Sequence, residues 1–86
     1  MSDQEKHNLC TNKFIALANE LKNQDIDQQL VSAALMSASG IYATYVTAGN
    51  AGGLEPSGVE KIVGHYRRNL EHIQIRKKEE SNATEQ

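Results

Sequence analysis

Residues 28–54 read QQLVSAALMSASGIYATYVTAGNAGGL, and not one of them is charged. Leu30, Val31, Leu35, Ile41, Tyr42, Tyr45 and Val46 recur at helical spacing along one wide arc, with Ala34 and Ala38 between them. The 42–47 segment is rich in β-branched and aromatic residues, yet it continues the helical pattern without a turn signal. The opposite arc carries Ser32, Ala33, Met36, Ser37, Ser39, Gly40, Ala43, Thr44 and Thr47. An ordinary surface helix places Lys and Glu there. The stretch therefore predicts a helix, ending near Ala48, that is buried on more than one side. Gly49, Gly52 and Gly53 then supply a stop and a connector.

A membrane span of about 20 residues would fit this length. The interior of the run argues against that reading. It holds Ser32, Ser37, Ser39, Thr44, Thr47 and Gly40, without aromatic belts at both ends or a Lys/Arg cluster beside either end. The expectation is a helix with no membrane role. The polar opening, Met1 to His7, has no apolar stretch of the signal type, and a reducing cytoplasm suits the lone Cys10.

Working outward, a first helix is expected over roughly 5–23. Ser2 and Glu5 have capping-box spacing, and Cys10, Phe14, Leu17 and Leu21 form one narrow stripe expected in the core. Asp25 or Asp27 is expected to cap the central helix. A third helix, about 58–78, is expected to start at a Ser57/Glu60 capping box. Its apolar row of Val59, Val63, Tyr66, Leu70 and Ile73 steps by four and three, with Ile62 beside it. Residues 80–86 read as a disordered polar tail, leaving 1–79 as one helical domain.

The architecture expected is all-α: a three-helix antiparallel bundle, because short connections favour antiparallel neighbours. Helices one and three would cover the wide arc of helix two and leave its small-residue side bare. Two copies would then pack there, with Ala33, Met36, Ser37, Gly40 and Thr44 at the contact. A homodimer is the favoured assembly, and another protein docking on the same face is the variant of that reading.

The 86 residues carry nine Lys+Arg and eleven Asp+Glu, a net charge of −2, which excludes a globally basic nucleic-acid binder. One cysteine excludes a disulfide framework and a four-cysteine zinc site. His65 and His72 lie two helical turns apart, about 11 Å, too far to share one metal ion. No metal, cofactor or catalytic pattern stands out, and no enzyme is expected. The competing functional class uses a basic stripe of Lys61, His65, Arg68, His72 and Arg76 to hold an anion or nucleic acid. No aromatic residue interleaves it and no phosphate loop precedes it, so a solvated helix face is the plainer reading. A third class places an enzyme site at an oligomer junction, using Tyr42, Tyr45 or His65. Tyr66 would join the two tyrosines if they lined a polar pocket.

Three segments together resemble a known family. They are Phe14-Ile15-Ala16-Leu17-Ala18-Asn19, Val31-Ser32-Ala33-Ala34-Leu35-Met36 with Tyr42 and Tyr45-Val46, and Ile62-Val63-x-His65-Tyr66-Arg67-x-x-Leu70-Glu71. The family is the small bacterial domain-of-unknown-function family numbered 3144, and the resemblance runs from about Lys13 to Ile73. It implies a small helical cytoplasmic protein without assigned activity. Its motifs are core-type positions, so it carries over no functional residue.

Overall fold

The computed structural model of the chain describes residues 1–49 and 52–85. Those residues form three helices and no strand: α1, Asp3–Lys22; α2, Gln28–Ala48; and α3, Pro56–Glu85. The chain divides into two units, Met1–Tyr42 and Ala43–Gln86, with α2 continuous through the division.

In the first unit, α1 starts where the capping box places it. The Ser2 hydroxyl accepts the Glu5 N–H at 3.1 Å, and the Glu5 carboxylate accepts the Ser2 N–H at 3.2 Å. Two donors that a helix start leaves unpaired are thereby satisfied. At the far end, the Asn23 N–H donates to the Asn19 carbonyl and the Gln24 N–H to that of Leu21. Asp25 then adopts φ 64, in the left-handed region that Asp tolerates better than most residues. This reverses the chain. Asp27 is the cap of α2, its carboxylate accepting the Gln29 N–H at 3.0 Å.

The elbow holds what core the unit has. Val31, one turn into α2, is 8% exposed. Ala18, Leu21 and Ile26 around the elbow are half-buried. The rest of the α1 stripe stays in the open, which corrects the expectation of a core there. Cys10 is exposed, and so are Phe14 and Leu17. Cover is confined to the elbow, so residues on earlier turns of α1 have none within the unit.

In the second unit, Gly49 ends α2 at φ 76, with its N–H on the Tyr45 carbonyl at 2.8 Å. A left-handed residue at this position is the common way to close a helix. Gly52 is also left-handed, at φ 134. Asn50 and Ala51, also in the connector, lie outside the described residues. The start of α3 differs from expectation. The Glu55 carbonyl accepts the N–H groups of Gly58 and Val59, so Pro56 is the first helical residue and Ser57 is not the cap. Proline suits that place because its φ is already helical and it has no N–H to leave unpaired. Leu54 lies over Gly58, where an added Cβ would come within 3.2 Å of it.

The end of α3 is a second correction. The helix does not stop at Lys78 but continues through Glu85, so the polar segment expected as a disordered tail is helical over its described residues. No Gly or Pro interrupts it, and Lys77 pairs with Glu80 at 3.6 Å one turn on.

Candidate functional site

The basic stripe is real as a face. Lys61, His65, Arg68, His72 and Arg76 fall within about 80° of arc on α3, at 100° per residue, and all five are exposed. The Arg68 guanidinium reaches back one turn and donates to His65 Nδ1 at 3.1 Å. Arg68 also lies over Gly64, where an added Cβ would meet its guanidinium at 3.5 Å, an ordinary contact. Two of the five residues are thus engaged with each other. The stripe, except for Arg76 at its edge, occupies the side of α3 opposite its apolar row.

The proposed contact face on α2 is also open. Ala33, Met36, Ser37 and Gly40 are exposed, and Thr44 is half-buried. A Cβ added at Gly40 would meet nothing within 4 Å. The wide apolar arc on the other side corrects an expectation. Leu30, Ile41, Tyr42, Tyr45 and Val46, expected beneath helices one and three, are all more than half exposed, and Ile41 reaches 72%. Coverage is limited to the neighbourhoods of the two connections, where Val31 in one unit and Ala43, Thr44 and Ala48 in the other lose surface. α2 consequently presents uncharged surface on both its faces. By length and composition it is also apolar enough to cross a membrane.

No cleft suited to a small molecule emerges among the described residues. An open hollow of about 250 Å³ lies at the elbow, lined by Ala18, Asn19, Lys22, Gln28, Val31, Ser32 and Leu35. That is below the range of about 300–1,000 Å³ usual for ligand pockets, and it is not enclosed. None of Tyr42, Tyr45 and Tyr66 lines it. Among the described residues no group of three or more His, Cys, Asp or Glu could hold a metal ion. One ionisable group stands apart. The Ser2 backbone N–H, and then its hydroxyl, hold the Glu5 carboxyl below its ordinary value, an effect that belongs to the helix cap.

The signal that sequence reasoning underused is the charge on the flanks of the α3 apolar row. Glu60 and Arg67 lie beside that row, and neither is paired with an opposite charge among the described residues.

Compared with known proteins, residues 9–73 match a family described as protein of unknown function (DUF3144). Neither the curated proteins nor the solved structures provide a match.

Proposed function

Since this chain belongs to the DUF3144 family, whose function is unknown, we propose from its own surface that it is a non-enzymatic, homo-oligomeric interaction protein, dimeric in its simplest form. The observation that carries this reading is the lack of a core. Val31 is the one buried hydrophobic residue among those described, while large apolar side chains are exposed along all three helices. A second copy supplies the missing cover without requiring any other molecule.

Within each copy the three helices are taken to run antiparallel, which the short connections 23–27 and 49–55 support. The α2 face of Ala33, Met36, Ser37, Gly40 and Thr44 is one contact between copies. The free thiol of Cys10 suits a reducing cytoplasm.

Sedimentation velocity over a hundredfold concentration range tests the reading. The expected result is a species of twice 9.5 kDa at micromolar concentration, dissociating on dilution. A single-chain mass throughout, with cooperative unfolding, would overturn it. So would partition into phosphatidylcholine vesicles in place of self-association.

A further inference from the structure

The apolar row of α3 has an unusual symmetry. Val59, Val63, Tyr66, Leu70 and Ile73 are 36–50% exposed, so each retains surface for a partner. Within its own unit α3 is half-buried off the row, at Gly58 and Ile62 on one side and at Gly64 beneath Arg68. The row begins just after Pro56 and ends at Ile73. Beyond it, the same face carries Lys77 and Glu80, already joined to each other. One flank holds Glu60 and Arg67. The other holds Arg76 and, at the helix entrance, Glu55. Among the described residues none of these four is paired with an opposite charge.

We propose that α3 packs antiparallel against α3 of a second copy, about a two-fold axis between Gly64 and His65. This rests on the reading that the chain pairs with itself, and it names where. In that register Val63 meets the partner's Tyr66, and Val59 meets the partner's Leu70. Each contact is repeated by the symmetry, as an isologous interface requires. Glu60 comes beside the partner's Arg67, and Glu55 beside the partner's Arg76, so both flanks are complementary. Lys77 and Glu80 fall past the partner's Pro56 and stay in water. A parallel pairing would set Lys77 on Lys77 and Glu80 on Glu80, with no opposite charges on the flanks. The charge order therefore selects both the partner, a second copy, and its direction.

The test is a charge-reversal cycle on the full chain, read as the dimer Kd by sedimentation, with far-UV circular dichroism to follow helix content. Glu60→Arg alone and Arg67→Glu alone each place like charges together twice per dimer. Each should weaken association roughly tenfold or more. The double variant restores opposite charges and should return to within about threefold of the wild type. Lys61→Glu, on the far side of the helix, should stay within about twofold. If a single variant loses helix, recovery in the double variant decides. Single reversals without effect, or a double variant no tighter than the singles, overturn the register while leaving self-association intact. A wild-type chain that stays monomeric overturns both.

Discussion

Val31 is the residue on which the first unit turns. It is the one apolar side chain that the elbow removes from water almost fully, with Ala18, Leu21 and Ile26 half-buried around the elbow. Burying a valine stabilises by about 1.5–3 kcal/mol. Val31→Ala should therefore destabilise the chain by an amount near the lower end of that range, measured by urea denaturation. Asp25, at φ 64, makes a different demand. Valine there would add branched-side-chain strain to a left-handed backbone, so Asp25→Val should cost about 1–2 kcal/mol in the same measurement. Glycine is at ease in that conformation, so Asp25→Gly should be neutral or stabilising. Equal effects of the two replacements would show that the left-handed turn is not held in solution.

At the scale of the element, the helix starts show what a sequence can encode. Ser2 and Glu5, three positions apart, close a cap whose partners lie within one turn, and α1 begins there as its pattern implies. Ser57 and Glu60 have the same spacing, but Pro56 takes precedence because its ring presets the helical φ and needs no capped N–H. The end of α3 is less legible, since polar composition alone does not distinguish an exposed helix from a tail. The α1 cap also gives a pH dependence. Glu5 is held below its ordinary value, so its folded form binds a proton less readily than its unfolded form. The cap's contribution is then fully present above the ordinary carboxylate range and is lost as the pH falls through the lowered value. Amide chemical shifts of residues 3–6 should move toward coil values on that acid titration. Ser2→Ala should shrink this acid step by the hydroxyl's share, since the backbone N–H at position 2 still reaches Glu5, and reduce the helicity of the first turn at neutral pH, at a cost of about 1 kcal/mol. Unchanged titration of Glu5 in Ser2→Ala would assign the whole effect to that backbone N–H.

At the scale of the whole molecule, periodicity reveals which faces are apolar but not what covers them, because a covering chain leaves no repeat of its own in the sequence. The stripe of Cys10, Phe14 and Leu17 and the wide arc of α2 are legible as faces, yet both remain open to solvent in a single chain. Gly40 converts that ambiguity into a measurement of sign. A Cβ added at this position meets nothing within 4 Å among the described residues. Leucine is also a better helix former than glycine by somewhat less than about 1 kcal/mol. For an isolated chain, Gly40→Leu should thus raise helicity and thermal stability. For a dimer that brings two α2 helices together at Ala33, Ser37, Gly40 and Thr44, the same leucine obstructs close approach. Association should weaken by at least about tenfold, and the melting temperature should fall while its dependence on protein concentration grows. The two accounts predict opposite directions from one substitution. A variant that melts higher than the wild type at every concentration, with unchanged mass, would remove α2 from the interface.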